Sequence, residues 1–199
     1  MVFKKNIVLK LFILLKYFLF LAGCAYQYTN EHNLDTEDIK KIKLNVKSFE
    51  INKDNLEIII TENLLQNEIN KKVLNKLEAW SWQKFAAEGI ENEAYLNLLK
   101  IDTIVIEKRK NKKSILAIIN HGKEVYKIAL NFDLSITTSD SLMKTLKITS
   151  SIDFELLNKY SITQRDKVII YNVNKLIKLI DEKITFQLNN KAFNQFVME

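Results

Sequence analysis

Cysteine, proline, glycine, histidine and arginine are scarce in this chain of 199 residues, and their scarcity excludes several classes of protein. The single cysteine, Cys24, allows no intramolecular disulfide, so stability has to come from packing. Proline is absent, whereas about 5% is typical. The three glycines do not form the motif of a phosphate-binding loop, a dinucleotide fingerprint or a nucleophile elbow. Two histidines, His32 and His121, are too few for a catalytic zinc site with His and Cys ligands.

The charge of the chain argues against nucleic acid as a partner. The chain has 30 Lys+Arg against 24 Asp+Glu, a net charge of +6, but only Arg109 and Arg165 are arginines. Residues 1–23 hold four of the lysines and no acid. Without that segment 26 cations face 24 acids, and the net charge of +2 gives no reason to expect a phosphate-binding surface.

The N-terminus has the parts of a secretory signal. Lys4 and Lys5 make a basic start, a mostly apolar run extends over 7–22, and small residues precede Cys24. A permanent membrane helix and an ordinary cleaved signal are the alternatives. Two lysines inside the run argue against the helix, because each would cost about 2.5–3.5 kcal/mol at mid-membrane. We therefore predict that residues 1–23 are an export signal.

The end of this signal, Leu21-Ala22-Gly23-Cys24, resembles the lipobox of bacterial lipoproteins. The resemblance implies cleavage between Gly23 and Cys24, diacylation of the Cys24 thiol and acylation of its new amine, with palmitate among the acyl chains. Two or three such chains anchor a protein well, whereas one gives only marginal binding. Ala25 follows the anchor, where an aspartate commonly signals inner-membrane retention. The resemblance thus implies a place on the periplasmic face of the outer membrane.

Composition and periodicity divide the mature chain into three parts. Residues 24–40 are a lipid anchor and polar tether, 41–190 are a single domain, and 191–199 are a C-terminal tail. Alternating apolar residues predict strands, and a 3.6-residue period predicts helices. The predicted strands are 41–51, 95–108, 124–138 and 144–157, and the predicted helices are 63–88 and 161–188. Gly89 is expected to end the first helix, and 56–60 fits either a short strand or a packed loop.

The order β-α-β-β-β-α with short connections predicts an α+β fold. The strand 124–138 is apolar on one side only, and each helix has one apolar stripe. Burying these surfaces together gives a two-layer sandwich, a largely antiparallel sheet with two amphipathic helices on one face. The stripes are Leu65, Ile69, Val73, Leu77 and Trp80 in the first helix, and Ile169, Val173, Leu176, Ile180 and Ile184 in the second.

Two apolar features are candidate contacts with a partner or the membrane. Trp82 follows Trp80 by two helical positions, so their side chains diverge by about 200°, and Phe85 is expected on the same outer side as Trp82. A covering loop and an exposed patch both fit this pair. The second feature lies between two basic segments and fits either a fifth strand or an apolar loop tip. Its residues are Ile115, Leu116, Ala117, Ile118 and Ile119.

Carboxylates and one histidine supply the catalytic alternative. Glu88, Glu91 and Glu93 follow the first helix, and paired acids can carry acid–base chemistry. Their position indicates a solvated loop instead, and no partner is signalled for His121 as a general base. We expect a protein that is not an enzyme and has no cofactor, with a small hydrolase as the nominal alternative.

In architecture the chain resembles small lipoproteins of envelope lipid transport, including LptE-like lipopolysaccharide-assembly lipoproteins and auxiliary lipoproteins of ABC-type lipid transporters. The helix end Trp82 to Gly89 and the strand with Tyr126 also resemble a set of alphaproteobacterial lipoproteins. The resemblance implies a non-catalytic accessory or assembly factor whose partner is an envelope protein or a lipid. A lipid-binding carrier with an apolar cavity between sheet and helices is the alternative. No functional motif transfers residue by residue.

Overall fold

The computed structural model describes residues 39–109, 122–190 and 192–198. Within these residues two long helices and a set of strands form an α+β fold, as the sequence predicted. In chain order the elements are β1 Ile42–Leu44, β2 Ser48–Asn52, β3 Glu57–Ile58, α1 Leu64–Lys84, β4 Phe85–Ala87, β5 Glu93–Arg109, β6 Lys123–Thr137, β7 Met143–Leu157, α2 Ile162–Leu188, a 3-10 helix Asn194–Phe196 and β8 Val197–Met198.

The main sheet has the strand order β2-β5-β6-β7, with β3 also paired to β5. The strands β5, β6 and β7 are antiparallel, as the short connections between them predicted. The strands β2 and β3 are parallel to β5, because the chain crosses over through α1 before it enters β5. Two irregularities, between Leu98 and Lys100 and between Val105 and Glu107, shift the register of β5.

A second sheet of three short strands has the order β4-β1-β8. The sequence predicted one strand over 41–51, but β1 and β2 belong to different sheets. Between them the N–H of Asn45 donates to the Phe196 carbonyl (2.8 Å), and the N–H of Lys47 donates to the Glu91 carbonyl (2.8 Å). These partners come from distant parts of the chain, so the alternating pattern does not reveal the break. The strand β8, in the segment expected as a tail, pairs with β1.

The first helix is shorter than the sequence predicted. It ends at Lys84, so the expectation that it continues to 88 and stops at Gly89 is wrong. The next three residues instead form β4, which pairs in parallel with β1. Gly89 has another role: its N–H donates to the Val46 carbonyl (3.0 Å). A β-carbon at Gly89 would lie 2.5 Å from the Asn45 carbonyl carbon, so the close approach requires glycine.

Both helices begin at side-chain caps. The Asn63 side chain accepts from the first turn of α1, where the backbone N–H groups have no helical partner. Ser161 and Gln164 form a reciprocal capping box at the start of α2. The second helix therefore starts one residue after its cap and runs to Leu188, as predicted.

The core lies between the main sheet and both helices, which pack on the same face of the sheet. The predicted stripes are buried, Leu65 only partly. Beneath them, the alternating residues of β6 from Tyr126 to Ile136 are buried as well. The ring of Trp80 contacts Phe132 across the two layers, with centroids 6.4 Å apart. The predicted two-layer arrangement is thus observed in the packing.

The two helices run in the same direction. Lys72, in the first half of α1, bridges to Asp166 near the start of α2 (2.9 Å), and Lys84, at the end of α1, bridges to Asp181 in the last third of α2 (2.8 Å). Both helices begin at the end of the main sheet where Arg109 of β5 pairs with Lys123 of β6. We call this the hairpin end. Both finish beside the strands β1, β4 and β8, which we call the small-sheet end.

Candidate contact surface of the helix layer

A buried ion pair joins α1 to α2. The Lys84 side chain is fully buried, and its Nζ lies 2.8 Å from Oδ1 of Asp181 and 2.8 Å from the Thr185 hydroxyl oxygen. The indole N–H of Trp80 donates to the same Asp181 oxygen at 2.8 Å. Hydrogen bonds to both charged partners offset the cost of burying them. This cluster fixes the two helices against each other, so it also fixes the side chains on their outer side.

Trp82 lies on the outer side of α1 and is 57% exposed. Its ring is held edge-on by Phe49 of β2, with centroids 5.5 Å apart and an interplanar angle of 88°. Phe49 itself is buried. One edge of the indole is therefore fixed by an aromatic contact while the rest of the ring faces solvent.

Phe85 does not lie on this outer side, so the prediction that places it there beside Trp82 is wrong. Because α1 ends at Lys84, the strand β4 turns the Phe85 ring inward, where it is 3% exposed. Its centroid lies 5.1 Å from that of Phe49 and 5.8 Å from that of Trp80. Phe85 thus supports Phe49, which in turn holds Trp82.

The outer side of α2 exposes a second apolar set. Tyr171 and Leu179 are about half exposed, and Phe186 is 78% exposed. At 100° per residue the three fall within an arc of about 80°. The opposite side of α2 is the buried stripe, so this helix is apolar on two sides. Packing against the sheet explains the buried stripe but not the exposed apolar side chains of the outer side.

Lysines dominate the exposed charges on the same side of α2. Among the described residues of this helix, the exposed charged side chains from residue 167 onward are Lys167, Lys175, Lys178, Glu182 and Lys183. Lys183 donates to the Thr149 carbonyl of β7 (2.7 Å). Lys175 and Lys178 form no ion pair with any residue of the described ranges. The outer side of α2 therefore combines exposed rings with uncompensated positive charge.

The hairpin end carries other exposed apolar side chains. Ile60, Leu64 and Ile162 are each more than four-fifths exposed there. The predicted contact residues Ile115, Leu116, Ile118 and Ile119 lie outside the described residues, as does His121. Their flanks, Arg109 and Lys123, are register partners at this end of the sheet. Trp82 is near the small-sheet end, about 27 Å from Leu64 along the helix axis, so it lies at the other end of the helix layer from these exposed side chains.

The acids that follow α1 form separate ion pairs. Glu88 pairs with Lys43 (3.1 Å), and Glu93 pairs with Lys47 (2.9 Å). Glu93 also accepts from the Tyr95 hydroxyl at 2.7 Å. The Tyr95 hydrogen bond, followed by the contact with Lys47, holds the pKa of the Glu93 carboxyl below its usual value. Within the described ranges, no group of three or more His, Cys, Asp and Glu side chains could hold a metal ion.

A groove of about 330 Å³ opens at the small-sheet end. Asn92 in its wall has a left-handed backbone (φ 62°), and its side chain ties the Asn45 carbonyl to the Ser139 N–H, both at 3.2 Å. The groove lies among loops, outside the packed layer between sheet and helices. It does not supply the apolar cavity that a lipid carrier needs. Its lining residues are Lys47, Ile90, Glu91, Asn92, Glu93, Thr137, Thr138 and Ser139.

The predicted anchor lies outside the described residues: the signal 1–23, Cys24 and all but the last two residues of the tether. The same holds for His32. In the part of the chain that the structure covers, neither long helix is apolar enough to cross a bilayer. The described chain begins at Ile39 and enters the domain through β1, at the small-sheet end.

The fold and its surfaces define a two-layer α+β domain with an aromatic and cationic helix layer. No protein-family model and no curated protein matches the chain. It is similar to a solved neuraminyllactose-binding hemagglutinin homolog of Helicobacter pylori (10% identity, 78% of this chain and 92% of that chain, TM-score 0.38). It is also similar to a minor lipoprotein of Acinetobacter baumannii (12%, 78% and 98%, TM-score 0.34) and to rare lipoprotein B of Shewanella oneidensis (9%, 70% and 98%, TM-score 0.32). With TM-scores below 0.5, these similarities carry no argument about function.

Sequence reasoning missed two parts of this surface. The exposed set on α2 has a helical period of its own, so projecting Tyr171, Leu179 and Phe186 on a helical wheel could have found it. No pattern in the sequence indicates that Lys84 is buried. A lysine near a helix end is ordinarily solvated, and only the approach of Asp181 on a separate helix makes the buried position tolerable.

Proposed function

We propose that this chain is a lipid-anchored, non-catalytic protein of the bacterial envelope that faces the periplasm and serves as an accessory or assembly factor for an outer-membrane or lipid-transport complex. The lipobox-like sequence at Cys24 supports the location. The observation that carries the functional part is Trp82, a half-exposed indole held in place by buried rings. Tryptophan in this setting is typical of the anchor residues that dominate protein interfaces.

The surroundings of Trp82 favour a protein partner with an apolar pocket. The indole is held on one edge by Phe49, so it loses little conformational entropy when a partner covers it. One turn earlier on α1, Glu78 is paired with Lys53 (3.0 Å), which leaves little net charge beside the ring. Ala79 is exposed between them and offers no bulk that would keep a partner away. This neutral, preorganised aromatic surface is better suited to contact a hydrophobic pocket of a partner protein than to contact a phosphate group.

Crosslinking in intact cells tests this proposal. A photoreactive residue at Ala79, one turn from Trp82, is activated, and captured molecules are identified by mass spectrometry. We expect a specific envelope protein, such as an outer-membrane barrel or a transporter subunit. The control is the same group at Lys127, on the opposite face of the main sheet, which should not capture that protein.

Substitutions then assign the capture to the indole. With the crosslinker at Ala79, Trp82→Gln should lower the yield of the same protein on the order of tenfold or more, as loss of a central interface residue does. Leu64→Gln removes another exposed apolar side chain, at the other end of α1, and is the control. An unchanged yield in Trp82→Gln, or capture of lipid alone, would contradict the proposal.

A further inference from the structure

We infer that the outer side of α2 lies on an anionic phospholipid bilayer, with Tyr171, Leu179 and Phe186 in the interfacial region and Lys175 and Lys178 at the lipid phosphates. The inference rests on the lipid anchor of the proposed function, and it concerns a different surface from the Trp82 contact. It assigns the second apolar side of α2, which packing within the domain leaves without a role.

The shape of this side matches a flat surface rather than a pocket. From Tyr171 to Phe186 it extends about 22 Å along the helix axis, at 1.5 Å per residue. Its apolar side chains are separated by lysines and do not form one compact centre. Long straight helices with apolar residues interspersed among lysines lie in the plane of a membrane interface. Tyrosine is enriched at that depth, where an apolar ring and a polar hydroxyl are both satisfied.

The charge of this side is complementary to anionic lipid. Lys175 and Lys178 form no ion pair with any described residue, and Glu182 is the one exposed acid among the described residues of α2 from position 167 onward. The acids that face α1 are already neutralised: Asp166 is bridged by Lys72 and Asp181 by Lys84. Lysine stems can cover apolar surface while their ammonium groups reach phosphate. Attraction of such residues to an anionic surface is screened by salt.

Because the tether holds the domain close to the membrane, even a weak contact between α2 and the bilayer is sufficient for docking. Residues 25–38 lie between Cys24 and Ile39 and span at most about 46 Å when fully extended, at 3.3 Å per residue. An acylated Cys24 therefore confines the domain near the bilayer, so that docking of α2 becomes an intramolecular event at high effective concentration. The chain enters the domain at the small-sheet end, and Phe186, the most exposed ring of α2, lies near that end.

Depth-sensitive fluorescence with the acylated full-length protein tests the inference. Phe186→Trp is made in a Trp82→Phe background, where the buried Trp80 is a constant internal reference. The protein is reconstituted into vesicles of phosphatidylethanolamine and phosphatidylglycerol whose acyl chains carry bromine close to the headgroup. We expect bromine to quench the tryptophan at 186, and quenching to decrease at high salt. Ile104→Trp, half exposed on the opposite face of the sheet, is the matched reporter and should not be quenched.

Charge reversal separates docking from tethering. Lys175→Glu with Lys178→Glu should lower the ratio of docked to undocked domain by roughly tenfold or more, whereas Lys127→Glu with Lys147→Glu on the far face should leave it unchanged. Circular dichroism confirms that each variant is folded. No quenching at 186, equal quenching at 104, or quenching that survives reversal of Lys175 and Lys178 would overturn the inference.

The outcome is distinguishable from that of the proposed function, because the vesicles contain no other protein. Quenching at 186 without capture of a protein beside Trp82 keeps the bilayer contact and overturns the accessory role. Capture of a protein beside Trp82 without quenching at 186 supports the accessory role and overturns the bilayer contact. A photoreactive group at Phe186 that captures a protein in cells, together with absent quenching, would assign the outer side of α2 to a protein partner and overturn the bilayer contact.

Discussion

Lys84 and Asp181 meet at the interface of α1 and α2, with Nζ and Oδ1 2.8 Å apart. The same carboxylate oxygen accepts the indole N–H of Trp80, so one acid holds two residues of α1. The lysine is fully buried and the aspartate mostly so. An ion pair in this position stabilises the fold only while both partners are present.

Removing one partner of this pair should therefore be costly. Asp181→Ala leaves a buried ammonium without its counter-ion, and we expect a loss of about 3 kcal/mol in the free energy of unfolding. The double variant Lys84→Met with Asp181→Leu removes both charges and should cost less. Urea unfolding followed by tryptophan fluorescence measures both. Lys72→Ala, which removes the more exposed bridge to Asp166, should cost less than about 1 kcal/mol; equal losses in Asp181→Ala and Lys72→Ala would contradict this account.

Two tyrosine–glutamate pairs on the main sheet predict the response to acid. The Tyr126 hydroxyl donates to Glu124 at 2.6 Å and the Tyr95 hydroxyl donates to Glu93 at 2.7 Å. Each bond is the main reason why the pKa of its carboxyl lies below the ordinary value of 4.5. Because the folded-state pKa is lowered, each glutamate contributes stability above its unfolded pKa. That contribution is lost as pH falls below about 4.5, through the folded pKa.

Tyr126→Phe should consequently raise the pKa of Glu124 and leave that of Glu93 unchanged, while Tyr95→Phe should do the opposite. The phenylalanine ring keeps the stacking on Phe154, so the variant removes mainly the hydroxyl. Carboxyl carbon NMR titration measures both values in one experiment. Titration of Glu124 at the same pH in the wild type and in Tyr126→Phe would show that the hydrogen bond is not the cause.

Gly89→Ala should destabilise the protein by about 1–3 kcal/mol, the usual cost of forcing an extra carbon into a packed site. The new β-carbon would meet the backbone of Asn45 and Val46 at about 2.5 Å, and backbone cannot move aside as a side-chain end can. Thermal unfolding monitored by circular dichroism gives the loss. Ala79→Ser, on the exposed side of α1, is the control and should remain within about 0.5 kcal/mol of wild type. An equally stable Gly89→Ala protein would refute the close approach.

Cys24→Ser tests the anchor. Without the thiol, diacylation and the signal cleavage that follows it cannot occur, so we expect the full-length precursor to accumulate. Globomycin, which blocks lipoprotein signal cleavage, should produce the same precursor from the wild type. Gel mobility and mass spectrometry of the membrane fraction distinguish the forms. Normal cleavage and a mature N-terminus in Cys24→Ser would mean that residues 1–23 are an ordinary signal.

The bounds of β6, β7 and α2 followed from local patterns. The period of two in β6 and β7 and the period of 3.6 in α2 predicted these elements to within one residue at each end. The caps Asn63 and Ser161 mark the helix starts because their side chains satisfy backbone groups of the same segment. Information of this kind lies within a few residues of where it acts, so it can be recognised without knowing the rest of the fold.

The end of α1 shows where local patterns stop being sufficient. Phe85 continues the apolar character of the helix, but its backbone pairs with Ile42, far earlier in the chain. That pairing decides that Phe85 faces inward and that Trp82 alone remains exposed. Of the two residues predicted on the outer side of α1, only Trp82 lies there, because a strand boundary that the second sheet creates separates it from Phe85.

The sequence by itself determined the α+β class, the single sheet face that carries both helices, and the apolar stripes that bury them, because a residue period fixes which side chains share a face. Only the tertiary structure decided the break between β1 and β2, the burial of Lys84 and the inward position of Phe85. Each of these depends on a backbone or charge partner brought close by the fold from elsewhere in the chain, and sequence spacing does not encode that distance.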